Sequence, residues 1–287
     1  MVIAAVTRTC GIAPELTPSP KLPRSHRQRW LRKVVGTRRA RVIWQATQRG
    51  VKVANDAFQL ASDALSDSQG QISELARPFL HFLPVSGASV STFGSFLPTE
   101  SISITDARAG RVDEIQFDLG EGPCWDALIK RQPVLEPDLS ARSSASWPAF
   151  LHAIRDEHIG AIFAFPLLFG PLEIGAVDLY SVEPVSLTAE QQKQTLALSE
   201  IVSRILLRHA ISGDDLSGSE MSTFSRRLIH QATGMVLAQI GTTAEDAHLI
   251  IQARAYSENR PMREVAQDVI DRRVRFSALS ETIEGAL

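Results

Sequence analysis

Apolar residues are distributed along the chain in three different ways. Over residues 1–53 they are scattered among Arg, Lys and Pro, and Pro14, Pro18, Pro20 and Pro23 forbid a continuous helix. That stretch reads as a basic, disordered leader. Over residues 54–210 the period switches between helix and strand. Ile72, Leu75, Ala76, Phe79 and Leu80 recur at helical spacing, with Pro78 expected to bend or end that helix. Ala88, Val90 and Thr92 alternate with Ser89, Ser91 and Phe93, and residues 101–104 alternate again, so two strands are predicted. Residues 147–159 predict a helix with Pro148 in its first turn. The apolar runs 161–169 and 174–180, separated by Gly170-Pro171, predict an antiparallel hairpin at the centre of a sheet. Thr188-Ala189-Glu190-Gln191 is a capping box for a long helix striped by Leu198, Ile201, Val202, Ile205 and Leu206.

Residues 211–221 are small and polar and form the best domain boundary in the chain. Beyond it, residues 222–278 predict three short amphipathic helices. The first presents Leu228, Ala232, Met235 and Val236 on one face and ends at Gly241. Thr242-Thr243-Ala244-Glu245 is a second capping box, opening a helix with Ala247, Ile251 and Ala255 on one side. Pro261 is pre-set for the first turn of the third, whose stripe is Val265, Ala266, Val269, Ile270 and Val274. Residues 279–287 are left as a tail. The fold class is therefore α+β: an antiparallel sheet flanked by helices, followed by a C-terminal three-helix bundle. The regular alternation of a doubly wound fold is missing.

Charge sharpens this division. The chain has 30 Lys+Arg and 32 Asp+Glu. Residues 1–49 hold eleven basic residues and one acidic, residues 51–221 hold eleven and twenty-three, and residues 222–287 hold eight of each. The basic leader allows three readings: a nucleic-acid tether, a solvated tail, or a segment upstream of the true start. The acidic middle should repel nucleic acid, and the neutral bundle would have to bind it through a few placed arginines. No apolar run reaches the roughly 20 residues of a membrane helix, and residues 2–6 are too short for a signal-peptide core. Two cysteines, Cys10 and Cys124, make no disulfide framework, so a cytoplasmic location is expected.

Candidate chemistry is sparse. Cys124, at a predicted helix start behind Pro123, is either a reactive thiol or a small buried residue, and the second reading is preferred. His152 and His158 are six residues apart and do not share a helical face, so no metal site is expected. No phosphate loop, dinucleotide fingerprint, zinc motif or nucleophile elbow is present, so neither a cofactor nor an enzyme is expected. Phe117, Trp125, Trp147, Phe163, Phe165 and Tyr180 either line a small-molecule pocket or are plain core.

The run Ile229-His230-Gln231-Ala232-Thr233-Gly234-Met235-Val236, with Thr243–Ala247, Ala253-Arg254-Ala255-Tyr256 and Asn259–Ala266, resembles an ANTAR domain. Residues 87–91, Phe117–Cys124 and 165–180 resemble a GAF domain of the kind that precedes ANTAR modules in bacterial regulators. The resemblance implies a sensor for a small-molecule signal joined to a three-helix module. That module would bind paired RNA stem-loops as a homodimer in transcription antitermination. The residues it implicates in RNA contact are His230, Gln231, Thr233, Gly234, Arg254, Tyr256, Arg260 and Arg263. Arginine forks suit phosphate and guanine edges, while Tyr256, His230 and Gln231 suit stacking on and reading of looped bases. Gly234 allows either close approach of RNA backbone or close helix packing. The chain departs from the family at Thr233, where Lys is common, at Gln252, where Arg is common, and at His248, where Leu is common. The first two remove a cation and favour an alternative: a small-molecule-binding protein whose helical tail makes protein contacts. Signalling is expected to run through the 189–210 helix, by a change in dimer geometry.

Overall fold

The computed structural model describes residues 56–65, 71–94, 96–141, 146–213 and 226–277. The predicted leader (1–53), the tail (279–287) and most of the predicted linker lie outside these. The chain divides between Ala57 and Phe58, and the second unit, Phe58–Leu287, holds the architecture below.

Five strands, β1 (Gly87–Thr92), β2 (Glu100–Ile104), β3 (Val134–Glu136), β4 (Ala161–Phe169) and β5 (Leu172–Ser181), form one sheet in the order β2-β1-β5-β4-β3. Every neighbouring pair is antiparallel. The predicted hairpin is β4–β5, turned at Gly170 with φ +57, and β5 is the central strand. Side chains alternate between the two faces. Ala88, Val90, Phe163, Phe165, Val177 and Leu179 fill a core on one side. Ser89, Ser91, Ala176 and Asp178 point the other way.

That second face is covered by α1 (Ala107–Leu119), α2 (Pro123–Lys130) and α3 (Pro148–Ala153). Asp106 caps α1 by accepting from the amides of Arg108 and Ala109, 3.0 Å each. The first face is covered by α4 (Ala189–Ser212) and helical residues 58–65. The capping box at Thr188 is present, with Gln191 reciprocating. The α4 stripe of Leu198, Val202 and Leu206 is spent on its own sheet, with Ile201 and Ile205 beside it.

The bundle is α5 (Arg227–Ile240), α6 (Ala244–Glu258) and α7 (Met262–Ile270) around Ile229, Ala232, Val236, Ala247, Ile251, Ala255, Val265 and Val269. Four alanines in that core, Ala232, Ala247, Ala255 and Ala266, let the helix axes come close. No helix among the described residues is long and apolar enough to cross a membrane.

Four local expectations are corrected. Residues 72–81 form two short 3-10 helices, Ile72–Glu74 and Arg77–His81, because Pro78 lacks the amide a continuous helix needs. The helix expected over 147–159 stops at Ala153, and a 3-10 turn at Arg155–Glu157 follows. Thr243, not Thr242, caps α6, placing Asp246 rather than Glu245 at the third position. Leu228 is exposed, and its neighbour Ile229 takes the core position.

Gly175 shows how tightly β1 and β5 are packed. A Cβ there would lie 1.9 Å from the Ser91 carbonyl oxygen, which belongs to backbone and cannot yield. Gly175→Ala should therefore destabilise the sheet domain by about 1–3 kcal/mol or more, the usual cost of overpacking. Urea denaturation checks this, and an unchanged midpoint would show that the strands can part.

Candidate nucleic-acid interface

The bundle sits against α1 and β2 through charged and polar contacts. At its start, Arg226 is 6% exposed. Its Nη2 donates to Asp113 Oδ2 at 3.0 Å and to Ser101 Oγ at 3.3 Å, and its amide donates to Glu100 Oε1 at 2.9 Å. The guanidinium carbon stands 3.4 Å from the centre of the Phe117 ring. Asp113 is wholly buried and is fixed by the hydroxyls of Ser91, 2.6 Å from Oδ1, and of Ser101, which donates to Oδ2. An ion pair this deep holds only because its donors and acceptors are matched.

Three further contacts follow along α1. Arg263 Nε is 3.0 Å from Glu114 Oε1. Asp118 Oδ2 accepts from the amide of Met262 at 2.9 Å and so caps α7, whose own N-cap residue Pro261 offers no side-chain cap. Gln252 Nε2 donates to the Asp118 carbonyl at 2.9 Å, satisfying an orphan group at the C-terminal end of α1. Burial pushes the Asp118 carboxyl up to about 7, with Glu114 adding to the rise and the Met262 amide, Arg226 and Arg111 opposing it.

The predicted RNA-contact residues fall into two groups. Arg260 reaches three carboxylates, Glu258 at 3.0 Å, Glu264 at 3.3 Å and Asp268 at 2.8 Å, which together raise its pKa. Arg254 pairs with Glu258 at 2.8 Å, and Arg263 is held by Glu114. His230 Nε2 lies 3.0 Å from the Thr99 carbonyl, and Thr233 Oγ1 donates to the Ile229 carbonyl at 2.7 Å. Gln231, Gly234 and Tyr256 are exposed, Tyr256 to 68%. Gln231 and Gly234 share one face of α5. A Cβ on Gly234 would meet nothing within 4 Å, so close helix packing does not account for this glycine.

The candidate aromatics divide by face. Phe117 and Trp125 pack edge-on or tilted against Phe93 and each other beneath α1 and α2, whereas Phe163 and Phe165 belong to the opposite core. Trp147 packs edge-on against Phe150, and Tyr180 donates to Asp106 at 2.8 Å. Cys124 is fully buried beside Asp178 and Asp113, and burial pushes its thiol well above the ordinary range, which suits the packing role and not the reactive one.

The residues missed by sequence reasoning are Arg226, Asp113, Glu114 and Asp118. Arg226 is one of eight arginines in the bundle segment, and nothing in its spacing separates it from a solvated one. Asp113, Glu114 and Asp118 lie in a helix that also carries Arg108, Arg111 and Gln116, so no apolar pattern marked them as buried.

The GAF domain family model matches residues 42–206, more than half of the chain. The chain belongs to the GAF domain family. The ANTAR domain family model matches residues 224–270. No curated protein matches the chain. Among solved structures, the GAF domain of a phosphoenolpyruvate-protein phosphotransferase from Coxiella burnetii is 9% identical, covers 56% of this chain and 96% of its own, with a TM-score of 0.44. The GAF domain of the corresponding Acinetobacter protein is 10% identical over 55% of this chain and 95% of its own, with a TM-score of 0.45. In domain terms, Arg226, His230, Gln252, Met262 and Arg263 of the ANTAR segment rest on β2 and α1 of the GAF domain. The pairing of a sensor domain with an ANTAR domain makes the chain a signal-sensing regulator.

Proposed function

We propose that this regulator is a cytosolic, non-enzymatic protein that binds paired RNA stem-loops through its ANTAR domain and controls transcription antitermination as a homodimer. The observation that carries the reading is the ANTAR match over residues 224–270 behind a GAF domain. The exposed side of α5 with Gln231 and Gly234, and the exposed Tyr256, supply reading and stacking groups for looped bases. Arg263 is engaged by Glu114 in the docked arrangement, so a signal that parts the domains frees a cation for phosphate. This replaces the route through α4, whose apolar stripe is committed to the sheet.

Gel shifts with a paired stem-loop RNA test it. Arg260→Ala combined with Arg263→Ala should weaken binding by about tenfold or more and flatten its salt dependence, since each lost phosphate contact reduces the slope. Equal affinities for the two proteins would remove these arginines from the interface. A second reading, a small-molecule-binding protein whose tail makes protein contacts, draws on the carboxylates that occupy Arg254, Arg260 and Arg263. Absence of RNA binding by an Asp113→Asn variant, in which the domains should part, would favour it.

A further inference from the structure

Arg226 occupies a hollow in the GAF domain that is shaped for a flat cation. Its floor is the Phe117 ring, 3.4 Å from the guanidinium carbon, and its wall is the Asp113 carboxylate, held by hydroxyls from two strands. A planar, weakly hydrated cation is the group that can stack on such a ring and donate sideways to such a carboxylate. Glu100 adds a second acceptor, which takes the Arg226 amide at 2.9 Å, so an N–H at the far end of a short chain is also read.

The fit is nevertheless incomplete. Among the described residues Arg226 Nε has no hydrogen-bond partner, and neither has Asp178 Oδ1, on strand β5. Asp178 is 5% exposed, its other oxygen accepts from Gln116 at 3.0 Å, and burial together with the nearby Asp113 pushes its carboxyl well up. A buried carboxyl oxygen left unsatisfied near Asp113 is costly unless something else reaches it. A backbone-tethered arginine enters from one side only, whereas a free molecule can take a deeper position.

We propose that this hollow is the ligand site of the sensor, that its ligand is a small molecule ending in a guanidinium or amidinium group, and that Arg226 is an internal stand-in which the ligand displaces. The proposal deepens the reading of the chain as a signal-responsive regulator and rests on it. Displacement removes the anchor at the start of the ANTAR domain and shifts the population towards separated domains.

Methylguanidinium chloride is the probe, with methylammonium chloride at the same millimolar concentration as the control for charge alone. Calorimetric titration of the full chain should show Arg226→Ala binding methylguanidinium about tenfold or more tightly than wild type, because the hollow is vacated and free ligand alone gains the linkage. The same variant should discriminate against methylammonium, and adding Asp113→Asn should abolish uptake. If Arg226→Ala does not fold unaided, refolding is the readout: recovery by methylguanidinium and not by methylammonium supports the site. Uptake no better than in wild type, or recovery by both salts or by neither, overturns it. No RNA enters the assay, so its failure leaves the RNA reading to stand or fall by gel shift.

Discussion

Asp113→Asn should loosen the ANTAR domain by about 3–5 kcal/mol, the usual cost of leaving one partner of a buried ion pair uncompensated. The Arg226 guanidinium would remain between Phe117, Ser101 and a neutral amide, with its Nε still unpartnered. Arg226→Met should cost a similar amount by stranding the Asp113 carboxylate, which is wholly buried. The double variant Asp113→Asn plus Arg226→Met carries no stranded charge, so it should be much less destabilised than the two single losses added together. A coupling energy of about 2 kcal/mol or more is expected from a double-mutant cycle in urea. Additive losses would show that the pair does not act as a pair. The single variants should also raise hydrogen exchange at the amide of Met262, which donates to Asp118 on α1.

The second large effect is on pH. In the docked state the Asp118 carboxyl titrates near 7, against an ordinary value of 3.8. The docked state therefore holds a proton that the separated or unfolded chain has already lost. The contribution of Asp118 to stability is fully present below about pH 4, is lost as pH rises towards 7, and is level above that, with a slope of at most about 1.4 kcal/mol per pH unit from this one group. Oδ2 is committed to the Met262 amide and Oδ1 has no partner, so Oδ1 is where the proton sits. The charged groups that act on it are Glu114, Arg226 and Arg111. Asp118→Asn keeps an acceptor for the α7 cap and removes the titration. Urea midpoints at pH 5, 6, 7 and 8 should decline up to pH 7 more steeply for wild type than for the variant, in which Asp178 still titrates. A difference between the two proteins that is constant over this range would place the titrating group elsewhere.

Both effects act at one contact, and they act on it in opposite chemical senses. Arg226 needs a charged Asp113, whereas the α7 cap is held best with Asp118 protonated. A guanidinium ligand and a rise in pH would therefore loosen the same domain contact from its two ends, about one and a half turns apart on α1.

Much of the fold was legible in the sequence. The alternation at Ala88–Thr92, the β4–β5 hairpin and the Thr188 capping box are written in the period and chemistry of adjacent residues, and each forms as read. So is the bundle, whose alanine-rich stripes leave few ways to pack. The errors came where backbone detail outweighed period, at Pro78 and at the one-residue shift of the α6 cap. The site was only half legible. The ANTAR resemblance marks Arg254, Tyr256, Arg260 and Arg263 as candidates from sequence, because planar cations and aromatic rings suit phosphate and looped bases. The i,i+4 partners Glu258 of Arg254 and Glu264 of Arg260 have a helical spacing, whereas the pairing of Arg263 with Glu114 could not be read, since the two are far apart in the chain. Local sequence thus determined the β4–β5 hairpin, the α4 cap and the bundle helices, but not α1 or β3, which no pattern above predicted. Only the tertiary structure decided that Arg226 turns inward to Asp113, because burial of a charge depends on long-range partners that no local pattern records.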